Sequence, residues 1–158
     1  MPTSTYVALA TTTLSGGETS VTFSSIPATY RDLVIQGTTK AGAEIALFIA
    51  FNSDTTAANY SYVYMLGNGS STSSVASGAN RLVSSTTTSF STFRVQAMDY
   101  SATDKHKNYL SRADVSAAFT YALAGRWANT NAITSVAITT ASNSFSADTT
   151  FSLYGIAS

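Results

Sequence analysis

Ile133-Thr134-Ser135-Val136-Ala137-Ile138-Thr139-Thr140, a Ser/Asn/Thr-rich connection, and Thr150-Phe151-Ser152-Leu153-Tyr154-Gly155-Ile156 form the stretch that decides the fold. Bulky and small residues alternate through both segments. That alternation is the pattern of a strand with one buried and one wet face. The polar loop between them has the composition of a connection. The expected ending of the chain is therefore two strands and their joining loop.

Working back from this pair, Phe119 to Trp127 reads as a strand, with Asn129-Thr130-Asn131 as the turn that follows. Phe90 to Tyr100 is the longest alternating candidate, and Lys107 to Val115 is its expected partner. Tyr60-Ser61-Tyr62-Val63-Tyr64-Met65-Leu66 places three tyrosines on one strand face. Glu44 to Phe51 is a short apolar run ended by Asn52-Ser53-Asp54, so a buried strand is preferred to a helix. Asp54 to Asn59 has room for one helical turn. Leu33 to Thr38 is an apolar, central strand. Tyr6 to Thr13 and Ser20 to Phe23, joined by Ser15-Gly16-Gly17-Glu18, read as a hairpin. Gly67 to Asn80, rich in Ser, reads as a long exposed loop. Arg81-Leu82-Val83 resumes regular structure. The expectation is an all-β fold: a single-domain antiparallel β-sandwich over residues 1–158, jelly-roll-like, with about nine or ten strands.

Composition bounds the function. Of 158 residues, 10% are charged and the formal net charge is zero, against about a quarter charged in an ordinary domain. Ser and Thr fill that gap, at roughly a third of the chain. Without a basic run, a phosphate backbone is not an expected partner. Cysteine is absent, which removes disulfides, a thiolate nucleophile and Cys-based metal sites. An extracellular eukaryotic domain often carries bridges, so their absence points elsewhere. Met1 to Tyr6 shows no basic region followed by an apolar one, so no secretory leader is expected. The most apolar run, Glu44 to Phe51, is too short for a helical membrane span.

The residues that could carry chemistry are dispersed. His106 is the one histidine, set between Lys105 and Lys107. Two flanking lysines disfavour a charged imidazole and do not orient it, so a solvated turn histidine is expected. No Gly-x-Ser-x-Gly elbow occurs. Glu18, Asp32, Glu44, Asp54, Asp99, Asp104, Asp114 and Asp148 fall about one per segment, mostly at turns. Asn52-Ser53-Asp54 lacks the glycine and terminal glutamate of a calcium loop. Gly67-Asn68-Gly69 lacks the Lys-Ser/Thr of a phosphate loop. Two glycosylation sequons, at Asn59 and Asn68, have no secretory context. No catalytic residue, metal site or cofactor is expected. Phe48, Phe51, Phe93, Phe151 and Leu153 are assigned to the core. Tyr60, Tyr62, Tyr64 and Trp127 are the candidate interface or ligand residues, since aromatic rings anchor interfaces and stack on sugars. For the tyrosine face, a core role stands as an equal alternative.

Several motifs taken together resemble a family of small β-rich virion proteins of tailed bacteriophages, including those of cyanobacteria and marine bacteria. They are Ser20 to Leu33, Phe51-Asn52-Ser53-Asp54 with Asn59-Tyr60-Ser61, Met98-Asp99-Tyr100, Lys107 to Arg112, Gly125-Arg126-Trp127, Ala132 to Val136, and Phe145 to Ile156. The resemblance spans nearly all of the chain outside the Ser-rich segment. It implies a virion structural role and offers no catalytic residues.

Size favours a capsid decoration (cement) protein on the shell exterior, because the chain shows neither a heptad run nor a shaft-like repeat. The expected partners are further copies of the chain, as a homotrimer, and the major capsid protein. The alternative is a receptor- or carbohydrate-binding tip domain of a tail fibre, with a host surface glycan as partner. Neither nucleic acid nor membrane is an expected partner. A weakly charged surface and strand edges with few lysines or prolines favour assembly.

Overall fold

The computed structural model describes residues 5–78, 81–116 and 118–157. The leader reading at Met1 to Ser4 and the end of the Ser-rich segment, Ala79 and Asn80, lie outside them. The twelve strands are β1 (Tyr6–Thr13), β2 (Ser20–Phe23), β3 (Asp32–Thr39), β4 (Ile45–Phe51), β5 (Tyr60–Gly67), β6 (Thr72–Ser77), β7 (Leu82–Thr86), β8 (Ser91–Met98), β9 (Lys107–Val115), β10 (Phe119–Trp127), β11 (Val136–Thr140) and β12 (Thr150–Ile156). Among the described residues a single 3-10 turn, Ala57–Asn59, precedes β5. The strands form two antiparallel sheets, ordered β1-β12-β3-β8-β9-β10-β5-β6 and β2-β11-β4-β7. The expected all-β sandwich is therefore the observed architecture, with twelve strands rather than nine or ten.

Alternation decides which face each strand buries. Along β9, Lys107, Tyr109, Ser111, Ala113 and Val115 point inward while Asn108, Leu110, Arg112 and Asp114 face outward. One core lies between the sheets. Leu33, Ile35, Phe93, Val95, Tyr109, Trp127, Phe151 and Leu153 from the larger sheet meet Phe23, Leu47, Ile49, Phe51, Val136 and Ile138 from the smaller. Phe48 is only half-buried; it packs against the core and lies under the Arg81 guanidinium, 5.6 Å from its ring.

Three expectations are corrected. β1 and β2 do not pair with each other: β1 pairs with β12 and β2 with β11. The Ser15–Glu18 turn is tied instead to the far end of the chain, through Gly17 N–H to Phe145 O (3.0 Å) and Phe145 N–H to Glu18 O (2.8 Å). The last pair of strands is likewise split between sheets, and β11 begins at Val136 rather than Ile133. Asn52 explains the shorter strand, because its Oδ1 takes the N–H groups of Thr134 (2.8 Å) and Ser135 (3.2 Å). Third, the Ser-rich segment is not all loop. Asn68 Oδ1 accepts from Ser70 N–H (3.0 Å) and Ser71 N–H (2.7 Å), Gly69 takes φ +85°, and β6 returns along β5.

The edge strand β7 is buried along its whole length. Two of its carbonyls accept from the opposite sheet. Ser111 Oγ donates to Val83 O (2.6 Å) and Tyr109 Oη donates to Leu82 O (3.4 Å). Side-chain hydroxyls thus close an edge that would otherwise expose unpaired backbone.

Candidate interaction surface

The candidate aromatics separate into two groups. Trp127, Tyr60 and Tyr62 are buried, with Trp127 only 1% exposed. Trp127 stacks on Tyr60 at 6.4 Å and 24°, and both rings contact Phe51. For these three the core reading holds, and the surface role expected of them is corrected. Tyr64 is half-buried: it stacks on Tyr62 at 5.7 Å and meets Tyr121 edge-on at 5.2 Å. The cause is a mismatch of widths. Four strands cannot cover eight, so the inner face runs past β7 as a row of aromatic rings.

Asp54 explains why indole and phenol can be buried here. Its Oδ2 accepts from Trp127 Nε1 (2.8 Å) and Asn59 Nδ2 (2.8 Å), and its Oδ1 accepts from Thr56 N–H (2.9 Å). Tyr60 Oη donates to Asp54 O (3.0 Å) and accepts from Phe51 N–H (3.0 Å). Each polar atom carried inward by an aromatic ring therefore has a partner. Partial burial works against the Asp54 charge. The hydrogen bonds from Trp127, Asn59 and Thr56 outweigh it and hold the carboxyl below the ordinary aspartate value. Burial raises the Tyr60 phenol to about 12. It pushes Tyr109 up as well.

Gly125 completes this corner. It lies opposite Tyr109 in the ladder, and a Cβ there would sit 2.1 Å from the Tyr109 ring. The ring covers the glycine as a side chain would, which is how aromatic residues stabilise glycines in strands. Gly37 under Phe93 repeats the arrangement, at 2.4 Å. The Asn52-Ser53-Asp54, Asn59-Tyr60 and Gly125-Arg126-Trp127 motifs are thus scaffold, gathered at one corner of the sandwich.

Titratable groups are not gathered in this way. His106 is exposed in the β8–β9 connection. Asp99 and Asp148 sit at positive φ, +47° and +66°, as turn residues. Asp32 accepts from Gln96 Nε2 (2.8 Å) and Asp99 N–H (3.0 Å). Lys107 is buried, with Nζ donating to the carbonyls of Lys105 (2.9 Å) and Thr130 (3.1 Å). Among the described residues no three His, Asp or Glu side chains come together as a metal site would need.

The outer face of the large sheet carries a feature that sequence reading missed. Val63 (53%), Met65 (64%) and Leu110 (47%) are exposed. The ladder sets them side by side: Leu110 opposite Ala124 opposite Val63, and Arg112 opposite Ala122 opposite Met65. The two short alanines leave an apolar trough of about 310 Å³ between taller ridges. β6 extends this face to an edge without Pro or any charged residue. The missed signal was the outward set of β5 and β10, where Val63, Met65, Ala122 and Ala124 stand in positions that usually hold polar residues.

No protein-family model matches this chain, and a comparison with curated proteins finds no match either.

Proposed function

We propose that this protein is a non-enzymatic structural subunit of a bacteriophage particle, a decoration protein that binds the outer surface of the capsid as a homotrimer. The virion assignment comes from the sequence resemblance. The observation that carries a docking role is the exposed apolar face of β5, β9 and β10. Contiguous exposed apolar surface of this kind marks interaction sites. These three strands span about 14 Å across, and eight residues of strand span about 26 Å, giving roughly 400 Å². That is about half the ~800 Å² per partner of a standard interface. Such a face suits a contact repeated around an assembly better than a lone tight pair. The carboxylates support the non-enzymatic reading, because Asp32 and Asp54 spend their oxygens on backbone and neighbouring side chains.

The second reading is the tip domain of a tail fibre that binds a host glycan. The observation that favours it is an open depression on the same sheet beside two arginines, Arg94 and Arg112.

Light scattering of the purified protein, with addition to capsids stripped of surface proteins, tests the first reading. A trimer that saturates the shells is the expected result, with little change in high salt. Met65→Arg should abolish that binding. A monomer at low and high salt that leaves the shells bare would refute decoration and favour the fibre tip.

A further inference from the structure

Arg94 and Arg112 lie directly opposite each other on neighbouring strands of the large sheet, both exposed on its outer face. Like charges in directly opposed positions are destabilising. A protein with so few charges gains nothing structural from this arrangement. No carboxylate forms an ion pair with either arginine among the described residues. Asp114 shares the face two residues from Arg112 but lies opposite Thr92. The other nearby carboxylate, Asp32, is occupied by the Gln96 amide and the Asp99 N–H.

One of the two guanidiniums is held in place. Arg94 lies over the Tyr6 ring, 5.3 Å from its centroid, and its Nη2 donates to Tyr6 Oη. The Arg112 guanidinium has no hydrogen-bond or ion-pair partner among the described residues. The pair lines an open depression of about 310 Å³ together with Gln96 and Leu110. Gln96 and Leu110 are themselves an opposed pair, two positions along the ladder and on the same face. The depression therefore has a basic end, an apolar shelf and an amide. The Gln96 nitrogen is committed to Asp32, which leaves its oxygen free to accept.

We propose that the Arg94–Arg112 depression binds an acidic sugar, with the sugar carboxylate between the two guanidiniums. Arg112 offers a planar fork to the carboxylate, and such charge-assisted pairs are stronger than neutral hydrogen bonds. The C–H face of the sugar ring rests on Leu110, and a ring hydroxyl donates to Gln96 Oε1. A carboxylate between the arginines also relieves their repulsion, so the cost carried by the free protein returns as binding energy. The site gives chemical content to the glycan-binding reading and rests on it for its biological use. Particle location and sugar binding are measured separately, so either can fail alone.

Calorimetric titration of the whole protein with glucuronic acid and N-acetylneuraminic acid tests the site, with glucose and glutarate as controls. The expected dissociation constant for at least one acidic sugar is on the order of 1 mM, rising with salt. Arg112→Gln should weaken it about tenfold or more. The same variant should melt no lower than the parent, because it removes an opposed charge. No acidic-sugar heat at ligand concentrations well above the millimolar range would overturn the proposal. Unchanged binding by Arg112→Gln, or a clearly lower melting temperature, would do the same by making Arg112 irrelevant or structural. Glutarate binding as tightly as the sugars would overturn the sugar assignment.

Discussion

Replacing Asp54 by Ala removes three acceptor contacts at once. Trp127 Nε1 is the costly one, because the indole is buried and cannot turn to water. An orphaned buried donor costs about 1–3 kcal/mol. Asn59 Nδ2 and Thr56 N–H are more accessible and recover part of their loss by hydration, so together they add roughly 1 kcal/mol. The expected destabilisation is about 2–4 kcal/mol, which in a chain of this length lowers the melting temperature by about 5–15 °C. The chain has one tryptophan, so urea unfolding followed by its fluorescence reports on this corner directly. Trp127→Phe separates the indole contribution from the rest. In that background Asp54→Ala should cost about 1 kcal/mol less or better, since the two residues share one bond. A cost within about 0.5 kcal/mol, or strict additivity of the two substitutions, would refute the account of Asp54 as the polar anchor of the aromatic corner.

Acid should expose the same residue. The folded carboxyl lies below its ordinary value of 3.8, so its contribution is fully present above that value and fades as pH falls through and below it. Asp54→Asn should flatten stability against pH in that window, read by thermal melts across a pH series. Gly125→Ala should destabilise by about 1–3 kcal/mol, because the new methyl meets the Tyr109 ring and that ring is buried; calorimetry checks it. Met65→Arg should leave stability within about 0.5 kcal/mol, as expected for an exposed position, while eliminating assembly in sedimentation runs.

The sequence was most legible where alternation was unbroken. β2, β9 and β10 begin and end where the pattern places them, because a half-buried strand must alternate. Pairing was less legible. Ser15 to Glu18 reads as a hairpin turn, but β2 has only four residues and finds a better partner in the apolar β11. β6 was hidden by composition, since every residue of it but Ser77 is exposed and none but Val75 is large. Its signal was local: Asn68-Gly69 is a strong hairpin dipeptide. The aromatic corner was ambiguous because a tyrosine face reads the same whether a second sheet covers it or not. Burial is tied to Asp54, a polar residue that joins its own neighbours Thr56 and Asn59 to the distant Trp127. The outer-face arginines were invisible until the β8–β9 register placed them opposite each other.

The pairing of β1 with β12 and of β2 with β11 has a kinetic consequence. Tyr6 lies opposite Ile156, and Ser20 opposite Thr139. During synthesis β1 and β2 thus have to wait for β12 and β11 before either sheet can close on that side. Contacts of such long sequence separation carry a large loop-closure cost and place a fold among the slow, millisecond-to-second class. The β8–β9–β10 meander needs only neighbouring segments and is the natural nucleus. During synthesis the uncharged Tyr6–Thr13 segment remains an unpaired strand, a surface on which two nascent chains can join wrongly. Yield on refolding should therefore fall with protein concentration well before the native state itself becomes unstable.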